Sequence, residues 1–197
     1  MKKHHFHVMI GALWIVLGLF LSAPVLIPHL TATHADVAQA QAADTSKAIN
    51  QTEPVISGSP THIAFPSVNI SVDVIPGYYD ARSQSWTLSR DKAQFATITS
   101  QPNNKTGNTF IYGHNRWQVF TGLLNAQVGD QAIITTDNGH TFIYTLREIR
   151  DTDPSDTSYM QSHNSPILTV QTCSGLWYEH RRMFTFDLVS VDQHEVK

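Results

Sequence analysis

The chain has 197 residues, room for one ordinary domain, with 41% hydrophobic residues and a formal net charge of −3. Its 13 Lys and Arg are scattered and the pI is near 6.4, so the basic footprint of a nucleic-acid binder is absent. A single cysteine, Cys173, excludes an intramolecular disulfide framework.

The N-terminus opens with Met1-Lys2-Lys3 and then runs apolar and uncharged over residues 8–27, through Leu13-Trp14-Ile15-Val16-Leu17. As a helix rising about 1.5 Å per residue, this run reaches roughly 30 Å, the thickness of a bilayer's hydrocarbon core. Lys2 and Lys3 precede it and no matching cluster follows, which keeps residues 1–7 cytoplasmic and sends the rest outside. A transmembrane anchor over residues 8–30 is the reading adopted. A cleaved signal peptide, processed near the small residues 35–43, is the alternative, and it too leaves the body of the protein outside. His4, His5 and His7 beside this run are read as incidental rather than as metal ligands.

Residues 31–60 are rich in Ala, Gln, Thr and Ser without a hydrophobic period, and read as a flexible linker. Beyond them, short runs rich in Val, Ile, Thr, Phe and Tyr predict strands over residues 68–75, 108–112, 131–136, 141–149, 167–172 and 183–191. Asp137-Asn138-Gly139 has the chemistry of a hairpin turn. Phe142/Tyr144/Leu146 and Phe184/Phe186/Leu188 alternate as half-buried strands do. A short helix is expected over residues 120–124, and a loop with one turn over residues 154–160. Residues 61–197 therefore read as a mainly β domain, a closed or nearly closed barrel with short helices.

Three strand ends carry chemistry-bearing residues. Phe110-Ile111-Tyr112-Gly113 is followed by His114, the run 167–172 by Cys173, and the last strand is opened by Arg181 and Arg182. A thiol needs a neighbouring imidazolium to become an effective nucleophile near neutral pH. A guanidinium stays charged and can donate to the oxyanion of a tetrahedral intermediate. Singly, each has an ordinary structural role: a buried inert thiol, a loop histidine bonded to backbone, a solvated pair of arginines. Alternation offers a test between the arginines. Arg182 shares the face of Phe184, Phe186 and Leu188, whereas Arg181 lies on the opposite face, as Cys173 does relative to Leu168 and Val170. Arg181 is the choice, and a bulge at the strand start would exchange it for Arg182.

These residues resemble the sortase family. Leu168-Thr169-Val170-Gln171-Thr172-Cys173 is similar to its TLxTC signature with one extra residue between Leu-Thr and Thr-Cys, and Tyr112-Gly113-His114-Asn115 is similar to its catalytic-histidine segment. The resemblance spans roughly residues 60–191, starting at Thr61-His62-Ile63-Ala64-Phe65-Pro66, which resembles the first strand. It implies a closed eight-stranded β-barrel behind an N-terminal membrane helix, on the cell surface. It also implies a cysteine transpeptidase that cleaves an LPxTG-like C-terminal signal of secreted proteins through a thioacyl intermediate. The acyl group then passes to an amine of a cell-wall peptide or a pilin lysine. Cys173 would be the nucleophile, His114 the general acid and base, and Arg181 the oxyanion partner. Arg182 and Thr172 would be substrate contacts, with Pro154, Tyr159 and Met160 lining the signal pocket from the loop 151–164. No cofactor or metal is expected: Asp151, Asp153 and Asp156 read as a solvated loop.

Other cysteine enzymes fit less well. Papain-like and NlpC/P60-type hydrolases put the cysteine at a helix start with the histidine after it, and L,D-transpeptidases carry a Ser-His-Gly-Cys ending. A non-catalytic, membrane-tethered barrel for adhesion or assembly is the alternative outside enzymes.

Overall fold

The computed structural model describes residues 54–193; the span expected over residues 8–30 and the linker as far as residue 53 lie outside the described residues. Among the described residues no helix is long and apolar enough to cross a membrane. The described residues form ten strands: β1 (Pro60–Phe65), β2 (Ile70–Gly77), β3 (Tyr79–Asp80), β4 (Ser85–Trp86), β5 (Ala93–Ala96), β6 (Asn108–Tyr112), β7 (Gln131–Thr136), β8 (His140–Thr152), β9 (Ile167–Ser174) and β10 (His180–Gln193). Eight of them close into a barrel in the order β1-β2-β5-β6-β9-β10-β8-β7, with β3 and β4 as a separate hairpin. This is the expected closed eight-stranded barrel, and closure leaves none of these eight as an edge strand.

The strands expected at residues 108–112 and 131–136 form with those bounds. The expected start of β2 at residue 68 moves to Ile70, because Pro66–Val68 turns as a short 3-10 helix and Asn69 adopts a left-handed conformation at φ 53°. Proline presets φ at the start of such a turn, and asparagine tolerates the left-handed region that ends it. Gly139, at φ 82°, closes the β7–β8 turn by donating its N–H to Thr136 O at 3.1 Å. The remaining short helices are Thr121–Asn125 and Ser158–Met160, at the expected places. Residues 54–59, expected to be linker, already lie on the barrel. Ile56 N donates to Asn104 Oδ1 at 3.0 Å and Asn138 Nδ2 to Ser57 O at 2.8 Å.

The inward positions fill the barrel with large side chains, among them Phe65, Phe120, Phe142, Tyr144, Phe184 and Phe186. Phe65 meets Phe120 edge-on at 6.0 Å and Phe186 at 5.8 Å, both within the favourable range for aromatic pairs. Burying each such ring contributes roughly 1.5–3 kcal/mol.

The strands β5, β6 and β9 are buried on both faces. Outside the barrel, Ala96 of β5, Phe110 and Tyr112 of β6 and Met183 of β10 form a second, smaller cluster, with Trp86, Tyr159 and Met160 packed against it. Trp86 arrives there on the β3–β4 hairpin, its ring 5.5 Å from that of Tyr112, while Tyr112 Oη donates to Thr87 O at 2.9 Å. Two pairings are parallel, β2 with β5 and β6 with β9. The second of these brings the ends of β6 and β9 to the same rim, which positions the candidate site.

Candidate active site

In the β6–β9 ladder Tyr112 is the partner of Gln171, and Gly113 N continues it by donating to Gln171 O at 3.1 Å. Two residues further along each strand stand His114 and Cys173. Neighbouring parallel strands run about 4.8 Å apart, so the same register sets the histidine alongside the cysteine. On the other side of β9, Arg181 of β10 is the direct cross-strand partner of Cys173. Cys173 therefore occupies the middle strand, with the histidine on one flank and the arginine on the other.

Alternation decides which way these side chains face. Along β9, Leu168, Val170 and Thr172 point into the barrel, while Gln171 and Cys173 face the outer side and are partly exposed. Along β10, Phe184 and Phe186 point inward; Met183 belongs to the outer cluster and Arg181 follows it. The β10–β8 register does shift, but between Thr185 and Phe186 and between Leu188 and Ser190, both beyond the strand start. No bulge intervenes between Arg181 and Phe184, so Arg181 keeps the outward face.

The outer faces meet in a cleft of about 260 Å³. His114, Cys173 and Arg181 line it together, with Phe110, Tyr112, Gly113 and Gln171 from the barrel wall. Trp86 and Leu88 come from the β3–β4 hairpin and the segment after it, and Pro154, Asp156, Thr157 and Met160 from the β8–β9 loop. Apolar walls and a reactive rim are the usual build of a ligand cleft.

The backbone around His114 is tightly held. Its carbonyl accepts from Arg116 N at 2.9 Å and from Phe120 N at 3.3 Å. The turn so formed presses Val119 and Phe120 against Gly113, where a Cβ would stand 2.8 Å from Val119 Cγ1. Any side chain at residue 113 would force the Val119 and Phe120 side chains to shift. Asn115 completes the join: its Nδ2 donates to Cys173 O at 3.1 Å and its Oδ1 accepts from Thr121 Oγ1 at 2.9 Å. Burial first, then the positive charge of Arg116, hold His114 below the ordinary imidazole range, which favours the neutral ring.

Arg181 is held through one nitrogen. Its Nη1 donates to the Tyr178 and His180 carbonyls, both at 3.0 Å. Those two bonds leave the guanidinium at the cleft beside the thiol.

Pro154 and Met160 line the cleft. Thr172, Arg182 and Tyr159, expected to meet substrate, lie elsewhere. Thr172 is fully buried and its Oγ1 donates to Gly113 O at 3.0 Å, pinning β9 to the end of β6. Arg182 is engaged by Asp151 of β8, its Nε donating to Oδ1 at 2.9 Å and its Nη2 to Oδ2 at 2.6 Å. Asp151 Oδ1 also accepts from Ser174 Oγ at 2.7 Å, so this group ties the ends of β8, β9 and β10 together behind the cleft. Tyr159 borders a separate groove with Arg147, Glu148 and His163. The Asp151, Asp153 and Asp156 carboxylates each take local hydrogen bonds, and among the described residues no three His, Cys, Asp or Glu side chains group as metal ligands.

Thr169-Val170-Gln171-Thr172-Cys173 fits the five-position TLxTC pattern without a gap, Val170 standing where the pattern has Leu, so the extra residue expected between Leu-Thr and Thr-Cys is not needed. The β9 pairings to β6 and β10 run without a shift.

Of the residues missed, Phe110, Tyr112 and Gln171 were within reach of the same alternation, counted back from His114 and Cys173. Trp86 and Leu88 were not, because a separate hairpin delivers them.

Solved structures of the same fold include sortase E1 of Streptomyces coelicolor, with a tripeptide in its active site: 18% identity, 69% of this chain and 91% of that one covered, TM-score 0.57. Sortase A of Listeria monocytogenes is 18% identical over 70% of this chain and 92% of its own, at a TM-score of 0.55. Sortase C1 of Streptococcus agalactiae is 19% identical over 66% of each chain, at 0.56. Among curated protein sequences none matches. The sortase-domain family model matches residues 63–188, the greater part of the chain and all three strand ends of the cleft, and the protein belongs to the sortase family of cysteine transpeptidases.

Proposed function

We propose that the protein cleaves a C-terminal, LPxTG-like sorting signal of secreted proteins and transfers the acyl group to an amine, with Cys173, His114 and Arg181 performing the chemistry. The observation that carries this reading is the register: β9 holds Cys173 between His114 at the end of β6 and Arg181 at the start of β10, all three at one cleft.

Neutral His114 takes the thiol proton, and Cys173 Sγ attacks a backbone carbonyl of the signal. The C–S bond forms as the carbonyl electrons move to oxygen, and Arg181 donates to that oxyanion. The carbonyl re-forms, the scissile C–N bond breaks, and His114 returns its proton to the leaving amine. The resulting thioester is attacked by an incoming amine whose proton passes to His114. A new C–N bond replaces the C–S bond, and His114 returns the proton to the departing Cys173 thiolate, restoring the thiol and the neutral ring. Trp86, Leu88, Pro154 and Met160 offer apolar contacts to the signal residues that precede the scissile bond.

The acceptor in this reading is an amine of a cell-wall peptide or a pilin lysine. The apolar run near the N-terminus would anchor the chain in the membrane, with the barrel outside. The test is mass spectrometry of the protein after incubation with a library of peptides bearing varied C-terminal signals. A thioester adduct on Cys173, absent from Cys173→Ala, is the expected result, and its mass names the motif. A library that leaves Cys173 unmodified, with no product released, overturns the reading.

A further inference from the structure

Between Cys173 and Arg181 the chain turns through Gly175, Leu176, Trp177, Tyr178 and Glu179, and the reactive rim depends on how this turn is held. Ser174 and His180 close the hairpin as cross-strand partners, and Tyr178 N donates to Gly175 O at 3.4 Å. Two residues carry left-handed backbone, Gly175 at φ 89° and Tyr178 at φ 60°. Glycine enters that region freely, whereas a tyrosine stays there only where its surroundings hold it.

The Tyr178 conformation matters because its carbonyl is one of the two acceptors that Arg181 Nη1 uses. The other, His180 O, belongs to the residue just before Arg181 and moves with it. Tyr178 O is thus the acceptor that refers the guanidinium to the turn.

What holds the turn is Glu179. Its carboxylate folds back over Gly175, where a Cβ would stand 2.3 Å from Oε2, and Oε2 accepts from Trp177 N at 2.9 Å. Its own N–H, the Trp177 N–H, the charge of His180 and the Leu176 N–H hold this carboxyl below the usual carboxylate range. Leu176 and Trp177 themselves project into solvent, 92% and 87% exposed, so their side chains have little packing with which to fix the turn.

We infer that Glu179 is a positioning residue for Arg181: folded over Gly175 and bonded to Trp177 N, it sets the turn that points Tyr178 O at the guanidinium beside Cys173. This rests on the reading of Cys173 and Arg181 as partners in one reaction. Arg181 touches the reacting atoms in that reading; Glu179 acts through it.

A test that needs no knowledge of the peptide substrate uses the thiol as reporter. Cys173 is alkylated by iodoacetate, an anion, and by iodoacetamide, a neutral reagent of similar size, and the ratio of the two rates is taken. General loosening or altered thiol reactivity changes both rates, so the ratio isolates the positive charge at the thiol. Arg181→Ala is expected to lower the ratio about fivefold, the size of a unit-charge attraction at about 4 Å in water-like surroundings. Glu179→Ala is expected to lower it by much of that amount, while Glu179→Gln, whose amide oxygen can still accept from Trp177 N, falls between. In the Arg181→Ala background, Glu179→Ala should change nothing further.

A ratio unchanged in Glu179→Ala overturns the inference. So does a rise, which would mean that loss of the Glu179 charge acts on the anionic reagent directly, or an equal fall in both backgrounds, which would mean that the effect does not pass through Arg181. Gly175→Ala, which displaces the carboxylate without removing it, must lower the ratio as well; an unchanged ratio there also counts against it. A ratio cycle that behaves as expected beside a peptide library that leaves Cys173 unmodified sinks the proposed activity alone.

Discussion

The two faces of the barrel wall are built to different rules, although the same strands supply both. Inside, Phe65, Phe142, Tyr144, Phe184 and Phe186 pack with almost no access to solvent. Outside, over β5, β6, β9 and β10, a cluster of four buried hydrophobic residues supports a cleft whose rim holds a thiol, an imidazole and a guanidinium. Adjacent residues serve opposite purposes: Thr172 pins two strands while Cys173 faces the cleft, and Arg182 braces strand ends while Arg181 lines the cleft. Such a wall keeps stability and chemistry one residue apart, with each held by contacts the other does not use.

Substitutions on either side of that divide should separate the two properties. The largest expected effect is inside. Phe184→Ala should cost about 3–5 kcal/mol, by loss of transfer energy plus an unfilled cavity, read from denaturant melts. At the rim, Arg181→Ala should slow acylation of Cys173 by about 10²- to 10³-fold, as loss of an oxyanion donor does, with stability within about 0.5 kcal/mol of the parent. A comparable loss from Arg182→Ala in the same acylation assay would erase the distinction between neighbours.

Arg182→Ala should instead cost about 1 kcal/mol of stability, the scale of a bidentate pair that is still partly exposed, and leave acylation within a few-fold. Its pH dependence has a definite sign. Hydrogen bonding to Arg182 lowers the Asp151 pKa in the folded state, so the contribution is full above the unfolded value of about 3.9. It is lost as pH falls through the lower folded value. Melts at pH 7 and pH 3 should therefore show the parent and Arg182→Ala converging at the acid end.

The smallest effect is at His114. Arg116 adds to burial in lowering its pKa, so Arg116→Gln should move the imidazole titration upward, as followed by NMR of the ring protons. A downward movement would mean that the Arg116 charge is not felt in the cleft.

Alternation was the most informative feature of the primary structure, because strand geometry obliges successive side chains to opposite faces. It sorted Arg181 from Arg182 and Cys173 from Val170, and both assignments agree with the faces observed. The same rule could not anticipate β5, whose Ala-Gln-Phe-Ala is too short to show a period and too poor in β-branched residues to stand out. Nor could it foresee that Thr172 would spend its hydroxyl on Gly113 O, or that Asp151 would claim Arg182. Those contacts join residues separated by 59 and 31 positions, and local pattern carries no information about which distant groups meet.

The sequence by itself determined the class of the fold, most of its strands, and the cysteine, histidine and arginine that open or close three of them, since each follows from local backbone preference and side-chain period. Tertiary structure alone decided that these strand ends share a rim. Parallel pairing of β6 with β9 and antiparallel pairing of β9 with β10 are non-local choices, made by the closure of the barrel around its aromatic core. Tertiary packing likewise brought Trp86, on its separate hairpin, over Tyr112 to wall the cleft.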